Sequence, residues 1–584
     1  MKASDYLASF LAANGIKQVF GLQGGAVVHL FDSVERQNNL EAIYCHHEQS
    51  AALAAVANAK VSGGLGCAIV TTGPACTNAL TGLLAAWQDS TPVIFISGQT
   101  RLEHTSYGKP VRQVGSQEFA ILDLVRPITK YAKLVESVEQ LPEILVKATA
   151  AALTGRQGPV WIDFPVNLQW ADLPTPSTTL TVDPAKSSKL KVSAHLFDQV
   201  IAELSTAARP LVIAGNGVRS SGTVRAFQEF IEILRIPFAT SWTAADLLPT
   251  NHSLNAGIIG VAGHRGANKA VFSADLLICL GCHLGLTQTS TLTEAYAPHS
   301  RKIIVDIDQD QIANLTVKFD LAIHADLKDF FLKAKSKLTA LSCKNEWHDA
   351  INEFRHQNNV EETLTEAEQI GDGITVNSNL FNARLTASIP ASSFLVVDGG
   401  GTALYTGFQS STLKAGQRII CSSSISAMGT GLPEAVGASF AAERREIYCF
   451  IGDGSLMLNL QELQTIRHYG LPVKVIVYNN NGYLAIKHTQ KVFLGERFFG
   501  TDPKSGVSVP PINGIANCFD IPFLHVSGAS QMTDAIDQII NYEGPLIVEV
   551  NTPELQSMLF QQGYRTKADG TFAPADLSEM KPFL

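Results

Sequence analysis

The sequence predicts an α/β protein built from three doubly wound parallel-sheet domains. Three observations carry this. Short apolar runs alternate with amphipathic helical stretches along the chain, which is the pattern of strands joined by crossover helices. Two breaks divide that alternation into three blocks. The first and third blocks also repeat one another weakly. The 584 residues suffice for several domains of roughly 100–200 residues each, and for large buried cores.

The first block covers residues 1–170. It opens on MKASDYLASFLAANGIKQVF, an amphipathic helix interrupted by Asp5 and without the apolar core of a cleavable signal peptide. Strands are expected at 66–72 (GCAIVTT), 92–98 (PVIFISG) and 159–165 (PVWIDFP). Residues 171–192 are rich in Pro, Ser and Thr, hold no period, and read as a linker. The second block, 192–335, carries strands at 210–216, 275–281 and 302–308. Residues 340–380 are polar, helical in character, and lead into the third block, 370–555. Its strands are expected at 393–400, 446–454, 472–480 and 545–551, and residues 556–584 form a tail.

Composition narrows the class. Apolar residues make up 46% and charged residues 17%, as in a soluble globular protein. The net charge of −9, without a Lys/Arg block, argues against nucleic acid or an anionic membrane surface as the main partner. No apolar run reaches the ~18–20 residues of a membrane span. Nine cysteines, an odd number, include Cys67, Cys279 and Cys449 in apolar strands and read as buried free thiols of a reducing compartment. A cytoplasmic enzyme is expected.

The repeat pairs CAIVTTGPACTNALTGLLAAWQDSTPVIFISGQ with YCFIGDGSLMLNLQELQTIRHYGLPVKVIVYNN. Both run strand, Gly turn, helix, Pro, strand. Gly73 precedes Pro92 by 19 residues, and Gly452 precedes Pro472 by 20. Generic βαβ similarity and two related domains with divided roles both account for this.

The second of these segments carries the chemistry. A strand ends in Gly452-Asp453-Gly454, a helix begins near Ser455, and a second strand ends in Asn479-Asn480, with 24 residues between GDG and NN. Glycines let the backbone approach a ligand closely. A helix N-terminus offers free N–H groups and partial positive charge to a phosphate. Asp453 and Asn480, at strand carboxyl ends, offer the hard oxygens that Mg²⁺ prefers.

GDG-x24-NN resembles the diphosphate and metal motif of thiamine diphosphate enzymes. VFGLQGGAVVHLFDSV, HHEQSAALAA, TTGPACTNALTGLLAAWQDSTPVIFISGQ, QEFAILDLVRPITKYA and AMGTGLPEAVGA are similar to segments of the acetolactate synthase and pyruvate oxidase group. That resemblance implies a pyrimidine-binding, a central and a diphosphate-binding domain, in chain order. It implies Asp453, Asn480 and the Gly482 carbonyl as Mg²⁺ ligands, and Gly454 and Ser455 as diphosphate contacts. Gly401, Thr402 and Ala403 match a second diphosphate loop, with Ala403 where the family usually has His. Ser426 and Met428 lie in the segment beneath the cofactor, and Met428 matches the bulky residue that bends it. Glu48 matches the glutamate that hydrogen-bonds the pyrimidine ring nitrogen and promotes activation. In this family Glu48 faces a cofactor held mainly by another subunit, which implies a homodimer or homotetramer.

For the reaction, the resemblance implies a 2-keto acid donor, pyruvate, and transfer of a two-carbon acetyl unit to a carbonyl acceptor. Gln117 aligns with a glutamine near the reacting centre. Ser116 before it replaces a Phe, leaving room for a larger acceptor. Gln23 stands where acetolactate synthases have Pro, and His29 either faces substrate or packs on its helix. The tail, YRTKADGTFAPADLSEMKPFL, is similar to that of flavoenzymes of polysaccharide clusters, including one of yersiniose biosynthesis. The leading expectation is therefore acetyl transfer to a ketone or aldehyde such as a nucleotide-activated keto-deoxysugar. The alternative is an acetolactate synthase catalytic subunit. A third reading, a non-catalytic binding relative, conflicts with intact Glu48, Asp453 and Asn480.

The middle block matches the family's flavin-contacting segments at GNG (Gly215, Gly217), GVAGHRGANKAV (Arg265) and VDID (Asp306). FAD in a structural role is expected there, because acetyl transfer is redox neutral. The adjacent His46 and His47 read as pocket neighbours of Glu48 and not as a metal pair, since residues at i and i+1 point apart.

Overall fold

In the computed structural model the described residues are 1–174, 181–182, 190–337, 345–566 and 569–581. Three six-stranded sheets form, and every strand pair in them is parallel. The first holds β1 (Gln18–Gly21), β2 (Glu41–Tyr44), β3 (Gly66–Val70), β4 (Val93–Gln99), β5 (Tyr131–Leu134) and β6 (Val160–Pro165). The second holds β7 (Pro210–Ala214), β8 (Phe238–Thr240), β9 (Asn255–Ile258), β10 (Leu276–Leu280), β11 (Arg301–Asp306) and β12 (Leu321–His324). The third holds β13 (Phe394–Val397), β14 (Ile419–Ile420), β15 (Ile447–Gly452), β16 (Val473–Asn479), β17 (Phe523–Val526) and β18 (Leu546–Asn551).

Strand order decides the repeat question. The first sheet runs β2-β1-β3-β4-β6-β5 and the third β14-β13-β15-β16-β18-β17, the same order when each is numbered from its own first strand. The middle sheet runs β9-β8-β7-β10-β11-β12, or 3-2-1-4-5-6 by the same numbering. That is the dinucleotide-binding order, with its switch point between β7 and β10.

All ten strands expected from apolar runs are present. The eight that the runs did not reveal are short or lie towards sheet edges. β2 and β5 leave most residues partly exposed, and β14 has two residues, so none presents a continuous apolar run. Helix Asn345–His356 packs on the middle domain: Trp347 Nε1 donates to Pro210 O at 2.9 Å, and Asn358 just beyond it accepts from Gly266 N at 2.8 Å. Most of the segment 171–192, read as a linker, lies outside the described residues. The tail returns to the middle domain, where Gln562 N donates to Val261 O at 2.8 Å.

The first and third domains share a core. Helix Glu48–Ser62 is buried at every residue from Ser50 to Ala59, so it is a core helix and not a surface one. It crosses helix Gly431–Ala441, and a Cβ on Gly437 would sit 2.0 Å from Ala54 O. The run of alanines and this glycine permit that approach. Among the described residues no helix is long and apolar enough to cross a membrane.

Candidate active site

The carboxyl ends of β13, β15 and β16 converge. After β15 the chain turns into a short helix, Asp453–Leu456, and Asp453 is 1% exposed. Its carboxylate accepts from Gly454 N and Gly482 N, both at 2.8 Å. Burial nonetheless pushes its pKa up to about 6, outweighing these backbone bonds and the charge of Lys487, which lower it. Asn480, also 1% exposed, donates through Nδ2 to Thr402 Oγ1 at 3.0 Å, while its Oδ1 is buried with no partner among the described residues. A buried acceptor without a donor and a desolvated carboxylate are what a hard cation would satisfy, so the residues fit Mg²⁺. Gly482 is held at φ 132°, and a Cβ there would lie 2.0 Å from Thr501 O. No other residue fits that turn.

Around this point a cradle closes. A Cβ on Gly400 would lie 2.2 Å from Ser455 Oγ and 3.4 Å from Met428 Cγ. One on Gly454 would lie 2.3 Å from the Tyr483 ring and 3.6 Å from Met428 Cε. GDG, Ser455, Met428 and the Gly399–Gly401 loop therefore lie together. Helix Gly401–Ser410 starts here with Gly400 as its cap, so its free N–H groups lie at this cradle. Ala403 is fully buried in the core, so only its backbone can serve a ligand.

Two contributors were not foreseen. Asp398, wholly buried after β13, accepts from Gly400 N at 2.7 Å and Gly431 N at 2.9 Å and bonds Ser455, tying both halves of the cradle. VVDGG was its signal. Lys487 is 2% exposed and lies 3.8 Å from both Asp502 and Glu554. His488 bonds Gln556 O at 2.8 Å, and Gln490 bonds Phe499 O at 2.8 Å. Both fasten backbone.

In the first domain the loops after β1, β2, β3 and β4 meet. Glu48 begins its helix and accepts from Asn78 Nδ2 through Oε2 at 2.9 Å. His47 caps that helix, its Nδ1 accepting from Gln49 N at 3.1 Å, so the histidine pair has a local role. Among the described residues no group of three or more His, Cys, Asp or Glu could hold a metal. Gln117 stands at φ 59°, exposed, with its carbonyl 2.2 Å from where a Gly73 Cβ would be. That contact sets the loop carrying Gln117 over the turn leading to Asn78 and Glu48. Gln23 is exposed and bonds Tyr44. His29 stacks on Trp170 with centroids 5.7 Å apart, which is the packing alternative. Beneath the loop, Asp163 is wholly buried, and its carboxyl is pushed up to about 6 by desolvation despite bonds from Ser97, Gln99 and Tyr107.

The two domains meet through Asn459, which donates to Gln49 Oε1 at 3.2 Å and to Gly429 O at 2.7 Å, and accepts from Ser50 Oγ at 2.9 Å.

A cleft of about 880 Å³ opens at the switch point of the middle sheet. Gly215, Gly217 and Asp306 line it, with Trp87, Lys130 and Arg156 from the first domain and Ser423, Ser424 and Ser426 from the third. A Cβ on Gly215 would lie 2.1 Å from Gly281 O, so the β7 and β10 turns touch there. Arg265 is not among the lining residues; it is buried, 5.3 Å from the ring centre of Phe560 in the tail. Ser426, at φ 45°, belongs to a loop that serves both this cleft and the thiamine cradle. Cys279 and Cys282 are spaced C-x-x-C at the cleft's edge, a pattern overlooked among the cysteines; both are free and buried, and desolvation raises both thiols.

Comparison with known proteins agrees with this architecture. Residues 1–124 match the family described as thiamine pyrophosphate enzyme, N-terminal TPP binding domain; 197–334 match its central domain; and 399–550 match its C-terminal TPP binding domain. Acetolactate synthase isozyme 2 large subunit of Escherichia coli (strain K12) is 29% identical over 558 residues, covering 96% of this chain and 97% of that one. A probable acetolactate synthase large subunit of Methanocaldococcus jannaschii is 30% identical over 515 residues, 85% of this chain and 83% of that one. Chloroplastic acetolactate synthase 2 of Zea mays is 28% identical over 581 residues, with 96% and 86% covered.

Proposed function

Because the chain belongs to the thiamine pyrophosphate enzyme family, we propose that it is a carboligase taking pyruvate as donor and a second carbonyl compound as acceptor. The observation that carries this is the cradle of Gly400, Gly454 and Ser455 set beside buried Asp453 and the unpartnered Asn480 Oδ1. Thiamine diphosphate, when bound, supplies the electron sink for loss of carbon dioxide from a 2-keto acid.

The chain's own residues do the rest. Asp453, Asn480 Oδ1 and the Gly482 carbonyl would hold Mg²⁺. Met428 fills the space between Gly400 and Gly454 and sets the angle at which a ring can lie. Asn78 fixes Glu48 Oε2, which leaves Oε1 to hold a proton against the pyrimidine ring nitrogen. Gln117 stands at the entrance as a donor to the incoming carbonyl. FAD occupies the middle cleft in a structural role; the 3-2-1-4-5-6 strand order and the touching glycine turns support this.

For the acceptor, relatives named acetolactate synthase that match over most of the chain favour a second 2-keto acid. That puts acetolactate synthase chemistry ahead of transfer to a keto-deoxysugar. The exposure of Ser116 and Gln117 is the one feature favouring a bulkier acceptor. Product analysis separates them. With pyruvate alone or pyruvate plus 2-ketobutyrate, acetohydroxy acids are expected. A branched product formed only with a nucleotide-linked ketosugar would reverse the order.

Glu48 is proposed to serve a cofactor held by a second copy of the chain. Mixing inactive Glu48→Gln and Asp453→Ala chains should then restore roughly a quarter of wild-type turnover, because hybrid dimers carry one intact site. No recovery in proven hybrids would place the whole site within one chain.

A further inference from the structure

Lys60 lies near the end of the helix that Glu48 begins. Its ammonium group is 2.8 Å from Asp89 Oδ2 and 3.8 Å from Glu434 Oε1, and both carboxylates are almost completely buried. It also donates to Cys421 O at 2.9 Å and Ser422 Oγ at 3.2 Å. Ser422 Oγ donates in turn to Glu434. Burial opposes the charge on Lys60, yet Asp89 and then Glu434 raise its pKa above the ordinary lysine value. Arg418 from the third domain donates to Lys60 O at 2.9 Å and, 2.6 Å away, to Asp246 of the middle domain, which also pairs with Arg219. All three domains therefore meet at Arg418, one hydrogen bond from Lys60.

What Lys60 and Glu434 hold is the root of the loop 421–428. Ser423, Ser424 and Ser426 of that loop line the middle cleft. Ser426 takes the left-handed conformation and donates to Ser423 O at 2.7 Å. Ala427 lies against Gly399, whose Cβ would sit 2.4 Å from Ala427 O. The loop ends in Met428, between Gly400 and Gly454. One short segment thus faces a dinucleotide-sized cleft on one side and forms the floor of the thiamine cradle on the other.

We propose that Lys60 is a positioning residue which sets the loop 421–428, and that through this loop a dinucleotide in the cleft and thiamine diphosphate at the Asp453 site strengthen each other's binding. The proposal rests on the two-cofactor reading given above. A ligand that orders the loop from either side removes that cost for the other, and the linkage is reciprocal.

The test uses the full-length protein stripped of cofactors. Calorimetry with Mg²⁺ gives the Kd of thiamine diphosphate with and without saturating FAD, and the Kd of FAD with and without thiamine diphosphate. In the wild type each is expected to tighten the other by the same factor, at least about fivefold. Lys60→Arg should keep most of that factor. Ser422→Ala, which cuts the loop tether but keeps the ion pairs, should lower it, and Lys60→Met should bring it near one. Thermal melts establish which variants are folded, and Ser422→Ala decides the matter if Lys60→Met is not. Independent binding of both cofactors in the wild type overturns the proposal, as does an unchanged factor in every folded variant. If FAD does not bind at all, the reading of the cleft falls first and this inference falls with it.

Discussion

Glu48→Gln is expected to fold and melt as the wild type does while losing about 10²–10⁴-fold in turnover of pyruvate. The two side chains are nearly isosteric. Glutamine offers an oxygen to Asn78 Nδ2, so the one hydrogen bond Glu48 makes here, at 2.9 Å, can be kept. Helix Glu48–Ser62 is held by its buried alanines and by Lys60, none of which changes. What the amide cannot do is hold an exchangeable proton against a ring nitrogen. Carbon dioxide release and a melting curve measured on one preparation separate the two effects. Wild-type turnover would remove Glu48 from the mechanism; a large drop in melting temperature would make it a structural residue.

Asp453→Ala is expected to weaken Mg²⁺-dependent binding of thiamine diphosphate by more than about 100-fold, since it removes the carboxylate proposed as a direct ligand. It also leaves the buried N–H groups of Gly454 and Gly482 without their acceptor. Each such loss costs about 1–3 kcal/mol, so some loss of stability accompanies the binding defect. Asp453→Asn restores one acceptor and serves as the control: it should recover stability but little affinity. Calorimetric titration with Mg²⁺ and then with EDTA reads the effect. Tight binding that persists in Asp453→Ala under EDTA would mean that the cation sits elsewhere.

The cluster around Asp453 was legible because its residues are local. GDG and NN end adjacent parallel strands, β15 and β16, so spacing along the chain fixes their spacing in space. The ten internal strands were legible because burial on both faces makes them continuous apolar runs. Lys60 was not legible: a lysine near a helix end ordinarily extends into water, and only the approach of Glu434 and Ser422 from another domain buries it. Asp398 had a local signal in VVDGG, but its role was hidden because it links Gly400 N to Gly431 N and Ser455, which lie far along the chain. His47 was read as a pocket neighbour of Glu48, and its capping role was not legible. Its ring nitrogen serves one backbone N–H.

The shared strand order of the outer domains has a mechanical consequence. Helices Glu48–Ser62 and Gly431–Ala441 occupy the same place in their respective units, before the third strand of each. They touch at Ala54 and Gly437 as if two copies of one module had dimerised inside a single chain. Glu48 stands at the head of one helix and Met428 just ahead of the other. The crossing is therefore a ruler: the missing side chain at position 437 sets the separation of the two modules, and a methyl group wedged there would shift both heads at once.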